Sequence, residues 1–131
     1  MSAYTVSYQE VEQFLHELQE RRQRFPTHFM NRDKNVQALL DLDLLPEQRE
    51  RLLDQLTPAS YIKGPKPDTV TSGALYWEFG FPFRGKELYI KLSVHPDPAE
   101  PPVCLSFHPA ERTMRYHSWS HHATTPIATE P

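Results

Sequence analysis

Residues 74–95, ALYWEFGFPFRGKELYIKLSVH, restrict the possible folds more than any other stretch of the chain. Leu88, Ile90, Leu92 and Val94 fall on one parity, while Glu87, Tyr89, Lys91, Ser93 and His95 fall on the other. That alternation is the pattern of a half-buried strand. Residues 74–83 supply a second, aromatic-rich run, and Arg84-Gly85 between the two suits a type I′ hairpin turn, although Arg is not the ideal first residue. The turn fixes a register: Phe83 faces Lys86, Phe81 faces Leu88, Phe79 faces Ile90 and Trp77 faces Leu92. Between these rungs Gly80 faces Tyr89 and Glu78 faces Lys91. A slip of one residue would set apolar against polar at every rung. Pro82 has no N–H to donate, so the first strand should be an edge at least at that end. A third strand, VCLSFH (103–108), is expected on the other flank of the second. Its alternation assigns Val103, Leu105 and Phe107 to the apolar face and Cys104, Ser106 and His108 to the polar one.

Helices precede these strands. Val11, Phe14, Leu15 and Leu18 form an apolar stripe at helical spacing within residues 7–24. Ser7 and Glu10 fit a capping box at its start. Arg21, Arg22 and Arg24 close it, where cations favour the helix dipole and where they could also contact phosphate. Residues 33–45 read as a shorter helix with Val36, Leu39 and Leu40 inward. Residues 46–56 read as another with Pro46 in its first turn. TPAS (57–60) has the residues of a helical turn start. KGPKPDTVTSG (63–73) reads as a long loop, a place where function concentrates. The expected fold class is α+β, with N-terminal helices packed on one face of a small antiparallel sheet.

The 131 residues suit one domain, taken as 1–116, with 117–131 as a flexible tail. The single Cys104 cannot form an internal disulfide, which fits a reducing compartment. No apolar run nears the roughly 20 residues that span a bilayer. The start, MSAYTVSYQEVEQ, lacks a basic region before an apolar stretch, so no signal peptide is expected. A cytoplasmic protein without membrane contact is the expectation. The formal net charge is −3, and residues 1–60 hold 7 Lys+Arg against 10 Asp+Glu. Residues 61–131 hold 7 of each, which leaves room for a local cationic surface on that half.

Three neighbouring strands gather Tyr76, Glu78, Tyr89, Lys91, Ser106 and His108 on the polar face. One reading is a solvated surface, with Glu78 and Lys91 as a cross-strand ion pair contributing about 0.2–1 kcal/mol. The other is a site. RNA cleavage without metal needs a base for the 2′-hydroxyl, a cation for the phosphorane and an acid for the leaving 5′-oxygen. Glu78 or His108 suits the base, and Lys91 with Lys63 or Lys66 suits the phosphate. His108 or Tyr89 suits the acid, because imidazole titrates near neutrality. The candidate catalytic set is therefore Lys63, Glu78, Tyr89, Lys91 and His108, and the candidate RNA-binding set is Lys66, Tyr76 and Arg115. Tyr76 and Tyr89 offer stacking faces, whereas Trp77 falls on the core parity. HSWSHH (117–122) brings His117, His121 and His122 together but lacks a carboxylate or thiol, so no metal is expected. Four glycines make no phosphate loop, and no cofactor is expected. Cys104 reads as a small strand filler.

Four segments taken together, NRDKNVQALLDLDLLPEQ, LTPASYIKGPKPD, GKELYIKL and CLSFHPAE, resemble the MqsR-like toxins of bacterial type II toxin–antitoxin systems, over about residues 28–116. The resemblance implies a RelE-like α+β fold and ribosome-independent mRNA interferase activity on single-stranded mRNA. It also implies a cognate antitoxin, a zinc-finger or helix-turn-helix protein. Motif by motif, the family's loop lysine falls on Lys63 and its strand tyrosine on Tyr89. Two positions depart from it: Glu78 stands where the founding toxin has glutamine, and His108 where it has lysine. Two functions are thus in view: a metal-independent endoribonuclease toxin that leaves a 2′,3′-cyclic phosphate, and a non-catalytic protein-interaction module on the same fold.

Overall fold

A computed structural model describes residues 5–67 and 74–119. Among these residues the fold is α+β, with helices followed by a mixed five-stranded sheet. Helix α1 (Tyr8–Arg24) leads to a two-residue strand β1 (His28–Phe29), then α2 (Asp33–Asp41) and α3 (Gln48–Leu53). A 3₁₀ turn (Pro58–Ser60) opens onto β2 (Tyr61–Pro67), β3 (Leu75–Phe83), β4 (Lys86–Val94) and β5 (Val103–Pro109). The order across the sheet is β1-β5-β4-β3-β2, with β1 parallel to β5 and every other pair antiparallel.

The local signals that start α1 act as their chemistry dictates. The Ser7 hydroxyl accepts from the Glu10 amide at 3.1 Å, and the Glu10 carboxylate accepts from the Ser7 amide at 3.2 Å. Val11, Phe14, Leu15 and Leu18 are all buried. Phe14 stacks on Trp77 and Phe79, with ring centroids at 4.6 and 5.8 Å. The β3–β4 register is the one the alternation dictates, from Phe83 opposite Lys86 to Trp77 opposite Leu92. Arg84 and Gly85 both have positive φ, as a type I′ turn requires. Arg84 is held there by its guanidinium, which donates to the carbonyls of Leu42 and Asp43 at 2.8 and 2.7 Å. Phe79, Phe81, Ile90 and Leu92 have no exposed area beneath the helices. Burying each such side chain contributes about 1.5–3 kcal/mol.

Four expectations are corrected. The sheet has five strands and is mixed, not three and antiparallel, because β1 is too short to show alternation and β2 carries the Gly and Pro of a loop. Residues 63–67 of the expected loop are strand; residues 68–73 lie outside the described residues. The expected edge at Pro82 stands: β2 pairs only with Leu75–Phe79, and no strand among the described residues lies outside the Pro82 end of β3. In α2 the buried residues are Asn35 and Ala38, whereas Val36 and Leu40 are 47 and 76 % exposed. Asn35 turns inward because its amide completes the open edge of β5, donating to the Leu105 carbonyl at 3.1 Å and accepting from the Phe107 amide at 2.9 Å. Finally, β5 shifts register between its pairs Ser106–Lys91 and Cys104–Leu92, which inserts Leu105 as an extra residue. Cys104 therefore turns to the core, where it is fully buried and burial pushes its thiol pKa up, while Ser106 and His108 keep the polar face.

The described chain stays packed beyond residue 116. Trp119 is buried, donates to the Pro58 carbonyl at 2.8 Å and meets Tyr8 edge-on at 5.4 Å. The His117 amide donates to the Tyr61 carbonyl at 3.0 Å. So the first residues of the expected tail belong to the fold; 120–131 lie outside the described residues.

Candidate functional site

Two bulges bring the site together. Lys63 pairs with Glu78, and Lys66 pairs with Tyr76, two residues earlier on β3. Three residues of β2 thus span two of β3, so both lysines face the polar side where a regular strand would send them apart. Gly64 makes this possible. Its φ is +120°, and a Cβ there would lie 2.8 Å from the Tyr76 carbonyl oxygen and 2.9 Å from the Trp77 Cα. The Tyr61 hydroxyl spans the bulge and donates to the Gly64 carbonyl at 2.6 Å.

The polar face then reads in rows across the strands. Lys63, Glu78, Lys91 and Ser106 form one row, and Gly80, Tyr89 and His108 form the next. Glu78 is only 6 % exposed, an unusual place for a carboxylate. Its Oε1 accepts from the Tyr89 hydroxyl at 2.6 Å, and its Oε2 lies 3.6 Å from the Lys63 ammonium. Burial, and then the bond to Glu78, push the Tyr89 phenol far above its ordinary pKa. Tyr89 is thereby fixed as a neutral donor. Its ring lies 5.5 Å from that of His108. His108 Nδ1 is 2.9 Å from the Pro109 carbonyl oxygen. A carbonyl only accepts, so this contact requires the proton on Nδ1 and leaves Nε2 as the reactive nitrogen.

Lys91 does not form the expected pair with Glu78. Its ammonium sits 4.0 Å from the centroid of the Tyr76 ring instead, a cation–π contact, and Lys63 takes the place beside the carboxylate. Lys66 and Tyr76 thus continue the same face one row beyond the carboxylate, and the Lys91 ammonium reaches across to that row.

A cleft of about 970 Å³ opens over Lys63, Glu78, Tyr89 and His108. One rim is the start of α2, including Arg32 and Lys34, and the other is residues 110–115, which cross the polar face as a strap. The strap is anchored along its length. The Ala110 amide donates to the Glu87 carbonyl at 2.7 Å, Lys34 pairs with Glu111 at 2.5 Å, and the Tyr116 hydroxyl donates to Glu87 at 2.6 Å. Burial, together with the Glu87 bond, raises the Tyr116 phenol, and Lys34 holds the Glu111 carboxyl below its usual range. Met114 packs over Gly80, where an added Cβ would lie 2.7 Å from the methionine methyl.

The cleft is cationic on a chain of net negative charge. Arg32, Lys34, Lys63, Arg112 and Arg115 line it against three carboxylates, Asp33, Glu78 and Glu111. Of the candidates named from sequence, Lys63, Glu78, Tyr89, His108 and Arg115 meet in the cleft, while Lys66, Tyr76 and Lys91 lie beyond it. Sequence reasoning missed Arg32, Lys34 and Arg112, which reach the face only through the packing of α2 and the strap.

Of the arginines closing α1, Arg24 lies over the Phe25 ring at 5.8 Å, and the other two are occupied by the fold. Arg21 is 8 % exposed and donates to the carbonyls of His95, Asp97 and Glu100 at 3.1–3.2 Å. Arg22 pairs with Glu50 and Asp54. Of the three histidines in the expected tail, His117 meets Trp119 at a tilt with centroids at 4.0 Å, and His121 and His122 lie outside the described residues. No helix among the described residues is long and apolar enough to cross a membrane. Comparison of the chain with protein-family models, with curated proteins and with solved structures finds no match.

Proposed function

We propose that this protein is an endoribonuclease of the mRNA interferase kind, the toxin of a toxin–antitoxin pair. The observation that carries the reading is the buried Glu78, bonded to Tyr89 beside Lys63 and His108 on the floor of a cationic cleft. The sequence motifs that resemble the MqsR-like toxins support it.

The residues divide the reaction as follows. Glu78, beside Lys63, takes the proton of the 2′-hydroxyl. The 2′-oxygen attacks phosphorus, and Lys63 balances the added negative charge. As the bond from phosphorus to the 5′-oxygen breaks, protonated His108 gives its Nε2 proton to that oxygen. The products are a 2′,3′-cyclic phosphate and a 5′-hydroxyl, and exchange with water restores both groups. Tyr89 orients Glu78 as a neutral donor, a role its raised pKa favours over proton transfer.

The test is cleavage of unstructured RNA by purified protein, with product ends identified chemically and growth followed on induction. Cyclic-phosphate ends and growth arrest are expected, and both should be lost in His108→Ala. Intact RNA and normal growth without an antitoxin would reject the reading. A pH–rate profile assigns the base: Glu78→Gln should flatten the acid limb, and an unchanged profile would move that role to His108.

One observation favours the second reading, a non-catalytic interaction module. Val36 and Leu40 stand exposed one turn apart on α2, an apolar stripe a protein partner could cover. On that reading Val36→Asp and Leu40→Asp would abolish a co-purifying complex, and His108→Ala would change no property of the protein.

A further inference from the structure

Every ammonium lining the cleft faces a carboxylate: Lys63 faces Glu78 and Lys34 faces Glu111. The guanidiniums have none at ion-pair distance, although Arg112 is near enough to Glu111 to help lower its pKa. Arg32, Arg112 and Arg115 are exposed, line the same cleft and have no hydrogen-bond or ion-pair partner among the described residues. Arg32 precedes α2, whereas Arg112 and Arg115 belong to the strap, so two elements of the rim supply them. The strap's anchors to Glu87 and Lys34 fix the path of the segment that carries its two arginines. A planar guanidinium presents a donor fork that matches phosphate oxygens, which makes arginine the residue for this task where lysine acts only as a point charge. At about 970 Å³ the cleft also stands at the upper end of the range of about 300–1,000 Å³ for small-ligand sites, larger than one phosphodiester linkage needs.

We propose that Arg32, Arg112 and Arg115 form a phosphate-binding wall that grips the phosphates flanking the bond to be cut. The substrate is then a single-stranded RNA extending beyond the two nucleotides at that bond. This rests on the ribonuclease reading for the identity of the ligand, but its test does not require catalysis.

The test uses 2′-O-methyl RNA, which cannot be cleaved, in lengths of two, four and eight nucleotides. Binding is measured by fluorescence anisotropy over a range of salt concentrations. Wild-type protein is compared with the triple variant Arg32→Ala, Arg112→Ala, Arg115→Ala, whose fold is checked by thermal unfolding. Wild-type affinity should rise about tenfold from two to eight nucleotides, and the variant should lose that gain. Each phosphate of a single strand that a cation neutralises adds about 0.7 to the slope of log affinity against log salt, so removing three guanidiniums should lower the slope by about 2. An eight-nucleotide affinity and salt slope equal to wild type would overturn the wall. The two ideas fail separately. If wild type binds with this dependence on length and arginine but leaves unmodified RNA intact, the wall stands and the nuclease falls. If wild type cleaves RNA while the triple variant binds the eight-nucleotide probe as tightly, the nuclease stands and the wall falls.

Discussion

Two carboxylates set the seam between α1 and α3 against the cleft. Glu50 in the seam accepts from the Thr27 amide at 3.0 Å, the Thr27 hydroxyl at 2.6 Å and the Arg22 guanidinium at 3.1 Å. Glu78 is more deeply buried, yet it accepts one hydroxyl and has an ammonium at 3.6 Å. The arginines divide in the same way. Arg21 and Arg22 of α1 are consumed by carbonyls and carboxylates of the fold, while Arg32, Arg112 and Arg115 remain without hydrogen-bond or ion-pair partners among the described residues. A polar group whose bonding capacity is used up by its own chain holds structure together. One left with capacity at the floor or rim of a cleft can meet a ligand.

The sharpest way to break this contrast is to disable the cleft and watch the fold. His108→Ala should lower RNA cleavage by about 10²–10⁴-fold, the usual contribution of a general acid, with thermal stability kept. An activity unchanged in that variant would return the cleft to a merely solvated surface. The converse experiment is Arg21→Ala, which strips three backbone carbonyls of a charged donor. It should lower unfolding free energy by about 2–3 kcal/mol in denaturant titrations, while cleavage per folded molecule stays constant.

Glu50 gives a smaller effect with a pH signature. Burial would raise its pKa, but the bonds from Thr27 and Arg22 outweigh burial and leave it lowered. A depressed folded-state pKa stabilises above the unfolded value of about 4.3 and loses that contribution as pH falls through the folded value. Its side chain is 33 % exposed, so solvent screens part of that gain. Glu50→Gln should therefore destabilise at neutral pH and approach wild type in acid; an equal deficit at both would remove the charge from the explanation. The smallest stability effect is expected for Arg115→Ala, within about 0.5 kcal/mol of wild type in the same titration. A larger loss would place that arginine with the structural ones.

How much of this was legible beforehand depended on the range of the interaction. Ser7 and Glu10 cap α1 within one turn, and Phe79 meets Ile90 across a hairpin whose turn sets the register. Both are settled by neighbours in the chain, so the sequence shows them. The meeting of Glu78, Tyr89 and His108 was legible for the same reason, because alternation assigns all three to one face. The pairing of Glu78 with Lys63 rather than Lys91 was not, since it depends on a bulge in a segment that reads as loop.

What the sequence by itself determined is α1, the β3–β4 hairpin and the chemistry on the hairpin's polar side, for spacing of two and of 3.6 residues is a local property. Tertiary structure alone decided that Cys104 turns inward, that Asn35 rather than Val36 faces β5, and that Arg32, Arg112 and Arg115 share a cleft. The first two follow from pairing with backbone groups on a distant partner strand, and the third from the packing of α2 and the strap over the sheet. A bulge or an edge-completing amide is chosen by that partner, and no periodicity along the segment records it.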